Sequence, residues 1–213
     1  MGERVAPWSA RHNVRRRALR LDEQALACHL VAVAMARERL ADIVAKDLRI
    51  LLVAINPSPF SMAAGDHFAT PGNPFWELLH RSGLTPRRLR PDEAREILLA
   101  GIGLTTLVRR PTRMAEDLDR TEMRAGAVAL ERTVRRLRPR VVALLGLTLF
   151  PIVFPGIREP GPGRKLVTLS GATVFVLPNP SGRNRSYPGF APKLRWYAEL
   201  ASLDTSRGAP SLA

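Results

Sequence analysis

Cysteine is nearly missing from this sequence: Cys28 is the only one in 213 residues. A single thiol excludes an internal disulfide and any four-cysteine zinc or iron–sulfur centre. A reducing compartment is therefore expected, with no metal and no cofactor. Long apolar runs are missing as well. No stretch reaches the roughly 18 apolar residues that a membrane span needs, so a soluble chain with no membrane partner is expected. The opening stretch, "MGERVAPWSARHNVRRRALR", lacks the apolar segment of a secretory signal, and a cytoplasmic location follows, on the chromosome when bound to DNA.

Acidic residues are in the minority. Lys and Arg number 33 against 19 Asp and Glu, a formal net charge of +14. Such a surface attracts a polyanion and loses that attraction as salt rises, which makes nucleic acid the leading partner. Lysine contributes only Lys46, Lys165 and Lys193, and a genome that spells cation as arginine would produce the same balance.

An arginine-rich arm at 11–20 precedes a helical pattern at 23–40. "LRILLVAI" at 48–55 then reads as a buried strand. A long loop, "NPSPFSMAAGDHFATPG", leads to a helix with Asn73 as N-cap, Pro74 in its first position and Gly83 at its end. A second helix starts at Pro91, with Asp92 and Glu93 in its first turn, and stops before Gly101. "IGLTTLV" and "RVVALLG" read as strands. Between them Met123, Ala127, Leu130, Val134 and Leu137 form the stripe of an amphipathic helix. Strands at 165–169 and 173–178 flank a tight hairpin at Ser170-Gly171-Ala172, and a last helix covers roughly 190–203.

Strands alternating with helices predict an α/β fold, a three-layer α/β/α domain around a mainly parallel sheet. Its expected limits are 41–203, after an arm and extra helix at 1–40 and before a flexible tail at 204–213. In such sheets ligands bind beyond the carboxyl ends of the strands. Asn56 leaves the first strand and Asn179 the last, each followed at once by proline. The two Asn-Pro breaks read either as ordinary turn chemistry or as two walls of one site.

Four motifs carry a resemblance: "INPSP" at 55–59, "FATPGNPFW" at 68–76, "LTTLVRRPT" at 104–112 and "LPNPSGRNR" at 177–185. In order and spacing they resemble the mismatch-specific uracil-DNA glycosylases, relatives of thymine-DNA glycosylase in the uracil-DNA glycosylase superfamily. The resemblance covers about 41–203 and implies a monomeric enzyme that extrudes uracil from mismatched double-stranded DNA and hydrolyses its N-glycosidic bond. It places Asn56 as the residue that orients the attacking water. Phe68 becomes the ring on which the extruded base stacks, Ser61 the residue near the pyrimidine C5 edge, and Asn179, with backbone around Ile55, the binder of base carbonyls. Gly182, Arg183, Asn184 and Arg185 match the wedge that replaces the extruded base, and Arg110 joins them as a phosphate contact.

Some positions depart from the family pattern. Arg183 stands where a relative has an apolar residue, and Thr106 where a relative has lysine. All three lysines lie outside the motifs, so Schiff-base chemistry is not expected and an abasic site is the expected product. Asp66 is the only carboxylate between Asp47 and Glu77. It reads as a Gly-Asp turn residue or as a second catalytic residue beside Asn56, taking the water's proton or stabilising the cationic sugar. His67 is a candidate phosphate contact, and His80 suits a helix end. The rival readings are a non-catalytic nucleic-acid-binding α/β domain and a nucleotide-binding domain. The second would need a phosphate loop, and "GPGRK" at 161–165 lacks its spacing.

Overall fold

Runs of β-branched and aliphatic residues with no polar alternation need cover on both faces, and three such runs form strands of the sheet. The computed structural model describes residues 40–182 and 184–205, the side chains of 204 and 205 excepted. Strands β1 (Ile50–Ala54), β2 (Ile102–Thr106) and β3 (Val141–Leu145) are buried at every position. The order β2-β1-β3-β5-β4 is completed by β4 (Gly163–Leu169) and β5 (Ala172–Leu177). β1 pairs in parallel with β2 and β3, and β3 with β5, while β4 is an antiparallel edge. The β4–β5 hairpin turns on Ser170 and Gly171, both at positive φ (48° and 86°), the left-handed pair that matches strand twist.

Alternate residues of the strands feed two cores. On one face Ile50, Leu52, Ala143 and Phe175 meet α2 (Phe75–Arg81) through Phe75, Leu78 and Leu79, and α5 (Ala191–Thr205) through Tyr197 and Leu200. On the other, Leu51, Val53, Val142, Leu144 and Val174 meet Leu130, Val134 and Leu137 of α3 (Arg120–Leu137) and Leu149 and Phe150 of α4 (Leu149–Val153). This is a three-layer α/β/α domain around a mostly parallel sheet.

Several local expectations change. The stretch expected as one long loop contains helix α1 (Pro59–Ala64). Ser58 caps it by accepting from the Ser61 N–H, Pro59 occupies its first turn, and Gly65 at φ 77° ends it. The expected helix at 91–100 is a 3₁₀ helix over Pro91–Ala100, and its buried residues Ala94 and Ile97 sit three apart, the repeat that geometry brings onto one side. Helix α2 starts at Phe75, and the Asn73 side chain accepts from the Phe75 N–H at 3.1 Å. β4 opens two residues before its expected start, and α4 was not anticipated. The arm at 11–20, the expected helix at 23–40 apart from Leu40, Cys28, Arg183 and residues beyond 205 lie outside the described residues.

Candidate functional site

The carboxyl ends of β1, β3 and β5 lie side by side in the sheet, and the residues leaving them are Ile55-Asn56, Gly146 and Asn179. Gly146 joins the outer two. A Cβ built there would lie 3.6 Å from Ile55 Cδ1 and 3.8 Å from both Cβ and Nδ2 of Asn179. Its φ of 133° also favours glycine, so the floor between the two Asn-Pro turns is bare backbone.

The exit of β1 stays zipped to the exit of β2. The N–H groups of Leu107 and Val108 donate to the carbonyls of Ala54 and Ile55 at 2.8 Å each, and the Thr112 N–H to that of Pro57 at 3.3 Å. This arrangement fixes which way the Asn56 amide points. Its Nδ2 lies 3.0 Å from the Arg110 carbonyl and 2.8 Å from Thr112 Oγ1. A carbonyl only accepts, and the Thr112 hydroxyl itself donates to the Met114 carbonyl at 2.6 Å, so both positions require the NH2 group of the amide. The amide oxygen, with no partner among the described residues, is left to accept from a ligand or water.

Helix α1 and the turn after it carry Phe68. Ser58 Oγ and Thr70 Oγ1 share a hydrogen bond of 2.9 Å, and the Ala69 N–H donates to Ser61 Oγ at 3.1 Å. Buried Ser61 thus ties the helix to the backbone beside Phe68, a positioning role evident in the structure alongside the C5-edge role that the resemblance implies. Phe68 takes a left-handed φ of 53° and stacks on Phe75, with ring centroids 3.7 Å apart and planes 18° from parallel. One face of this half-buried ring is covered by Phe75.

Asp66 and His67 follow the Gly65 cap of α1. They border a cavity of about 180 Å³ with Ala41, Asp92 and Arg95 that includes none of Asn56, Phe68 or Asn179. His67 is buried and Nε2 meets the Ala41 carbonyl at 2.9 Å. Burial, the largest influence, holds its pKa below the usual histidine value, which favours the neutral ring over the cation a phosphate contact would use.

At the other wall the amide is held the opposite way round. Asn179 Oδ1 accepts from the Ser181 N–H at 2.9 Å, which leaves Nδ2 as a donor with no partner among the described residues. Buried Lys193 on α5 supports the loop from below, donating to the carbonyls of Pro180 at 3.1 Å and Ser181 at 2.8 Å. Asn184 acts within the loop: its Nδ2 donates to the Asn179 carbonyl at 3.1 Å and its Oδ1 accepts from the Tyr187 N–H at 3.3 Å. Gly182 and Arg185 are exposed. The guanidinium of Arg110, expected to meet a phosphate, forms a two-pronged pair with Glu122 at 2.9 and 2.7 Å.

Four residues of this arrangement were not expected from sequence: Gly146, Thr112, Glu122 and Lys193. Gly146 carries a readable signal, a glycine directly after a buried strand run. The partners of Thr112, Glu122 and Lys193 lie far along the chain or on backbone carbonyls, where no pattern announces them.

The superfamily is settled by comparison with known families. Residues 41–201 match the family model of the Uracil DNA glycosylase superfamily, and the chain belongs to that superfamily. The match covers the whole sheet and both Asn-Pro turns, so the strand-end site described above lies within it.

Proposed function

We propose that the protein is a monofunctional DNA glycosylase that extrudes uracil, and related pyrimidines, from mismatched duplex DNA and hydrolyses the N-glycosidic bond to leave an abasic site. The observation that carries this reading is the opposed setting of the two amides. An extruded pyrimidine seated on Phe68 between them would meet an acceptor at Asn56 and a donor at Asn179. Water held by Asn56 Oδ1 bonds through its oxygen to C1′ of the sugar. The bond from C1′ to the base nitrogen breaks, its electron pair leaves with the base, and the water's proton passes to solvent or to the departing base. Asn179 Nδ2 donates to the carbonyl oxygen that gains charge as this happens, and a preorganised donor there lowers the barrier.

The lysines support hydrolysis without a Schiff base. Lys165 and Lys193 are buried with their ammonium groups against backbone carbonyls, and Lys46 lies ahead of β1, at the end of the sheet away from the site. Asp66, two residues before Phe68, enters the proposal as a helper of the cationic sugar. The exposed Arg185, with Gly182 and Arg183, supplies wedge and phosphate contacts to double-stranded DNA, the protein acting as a monomer.

A duplex with one uracil opposite guanine, incubated with the protein and no added metal or nucleotide, tests the proposal. Free uracil and an intact strand that breaks only on alkali treatment are expected. Immediate strand breakage, or trapping of the protein on DNA by borohydride, would contradict hydrolysis without a covalent amine intermediate. Tight binding with no base release would favour a non-catalytic DNA-binding domain.

A further inference from the structure

The oxygen of Asn56 is turned to the site by the two groups that accept from its NH2. Both belong to the segment after β2: the Arg110 carbonyl and the Thr112 hydroxyl. That segment is fastened to the start of α3. Arg110 Nε donates to Glu122 Oε1 at 2.9 Å, and Nη2 donates to Glu122 Oε2 at 2.7 Å and to the Asp117 carbonyl at 3.0 Å. Three of the five N–H groups of this guanidinium are thereby committed within the protein. Glu122 in turn accepts from the Asp119 N–H at 3.0 Å and so belongs to the N-terminal cap of α3. One turn on, Gly126 lets the helix approach so closely that an added Cβ would lie 2.4 Å from the Leu107 carbonyl oxygen.

As a contribution to stability this pair is small. Both side chains are substantially exposed, at 49% and 32%, and water screens ion pairs of that kind so that they add little to stability. Its geometry is specific, however, because a bidentate pair fixes the plane as well as the position of the guanidinium. The Arg110 main chain carries that placement to the Asn56 amide.

We propose that Arg110 and Glu122 are positioning residues for Asn56: their bidentate pair holds the 107–112 segment so that the amide oxygen of Asn56 stays turned toward the base site. This assignment rests on the reading of Asn56 as the water-holding residue. It also replaces a phosphate contact by Arg110 with a role inside the protein, and the two roles have opposite consequences. If Arg110 met phosphate, removing Glu122 would release its charge and tighten DNA binding, and removing Arg110 would weaken binding. If the pair positions Asn56, both changes slow the reaction and leave binding nearly alone.

The test compares Glu122→Ala and Arg110→Met with the unaltered protein and with Asn56→Ala. Arg110→Met leaves the α3 cap intact should Glu122→Ala fail to fold. Single-turnover excision of uracil opposite guanine, with protein saturating, is expected to fall about 10- to 10²-fold in each variant, the scale of a small misplacement of a reacting group. Affinity for undamaged duplex and its salt dependence should stay within about twofold. In an Asn56→Ala background Arg110→Met should have no further effect. Side-chain amide protons of Asn56, followed by NMR without any DNA, should exchange faster in both variants. Unchanged amide exchange overturns the clamp whatever the substrate is. Normal rates in both clamp variants beside a slow Asn56→Ala protein overturn the clamp alone, whereas a normal rate in Asn56→Ala overturns the reading of Asn56 itself and the clamp with it. A salt slope lowered by about 0.9 in Arg110→Met, with tighter binding in Glu122→Ala, returns Arg110 to the phosphates.

Discussion

The turn after β1 and the turn after β5 begin with the same dipeptide, Asn-Pro, and do opposite things with it. At Asn56 the amide nitrogen is tied down, by the Arg110 carbonyl and the Thr112 hydroxyl, and the oxygen is presented. At Asn179 the oxygen is tied down, by the Ser181 N–H, and the nitrogen is presented. An asparagine side chain carries an acceptor and a donor about equally able to serve a ligand, and its neighbours decide which one does. One wall therefore suits a water that must be held by its hydrogen, and the other an oxygen that gains negative charge.

Removing the amide at the first wall should have the largest effect on excision. Asn56→Ala is expected to lower the single-turnover rate on a uracil–guanine duplex by roughly 10²- to 10⁴-fold, the span for a group acting on the proton-transfer side of a reaction. Binding of undamaged DNA should be unchanged, and a rate within threefold of normal would remove Asn56 from the mechanism. The second wall should be more sensitive to its support, because its loop rests on one buried ammonium. Lys193→Met leaves two carbonyls without that donor, at a cost of about 1–3 kcal/mol that a thermal melt would register. Excision should slow about tenfold through the displaced Asn179, on the scale of misplaced catalytic groups. A lower melting temperature with a normal rate would show that the loop keeps its shape without the lysine.

The same contrast explains what could be read from the sequence. The hold on Asn179 is local: the donor is two residues on, and Asn-Pro-Ser suggests such a turn. The hold on Asn56 comes from residues 54 and 56 positions away, and no local pattern brings Arg110 and Thr112 to it. Strands β1, β2 and β3 were legible because burial on both faces leaves runs free of charge and of polar alternation, and the β4–β5 hairpin because Ser-Gly suits left-handed turn geometry. Helix α1 was missed although Ser58, Pro59 and Gly65 mark its ends, since six residues are too few to show a helical repeat. The 3₁₀ form of 91–100 was not legible because proline, acidic first-turn residues and a closing glycine serve either helix type. In the sequence Arg110 reads as a phosphate contact, because nothing local points to Glu122, at the start of α3, as its partner.

Two smaller effects would sharpen the comparison. Arg185 is exposed beside the second wall, so Arg185→Ala should weaken binding to any duplex and flatten the salt slope by about 0.9, the value for one phosphate contact. The excision step at saturation should hold, and an unchanged salt slope would place Arg185 away from the backbone of the DNA. Asp66 stands nearer the first wall in sequence but borders a different cavity, so Asp66→Ala is expected to slow excision only a few-fold. A loss as large as that of Asn56→Ala, in a protein that still melts and binds DNA normally, would make the carboxylate a full partner in activating the water.

The opposed polarity of the two amides is tested most directly by exchanging each for a carboxylate. Aspartate accepts at both oxygens and donates at neither, so at position 56 it keeps the presented acceptor while losing the two donated bonds that orient it, and at position 179 it keeps the bond from Ser181 and abolishes the presented donor. Single-turnover uracil excision should be faster in Asn56→Asp than in Asn56→Ala. It should be slower in Asn179→Asp than in Asn179→Ala, because a negative charge then faces the departing base. The reverse order at either position would contradict the account.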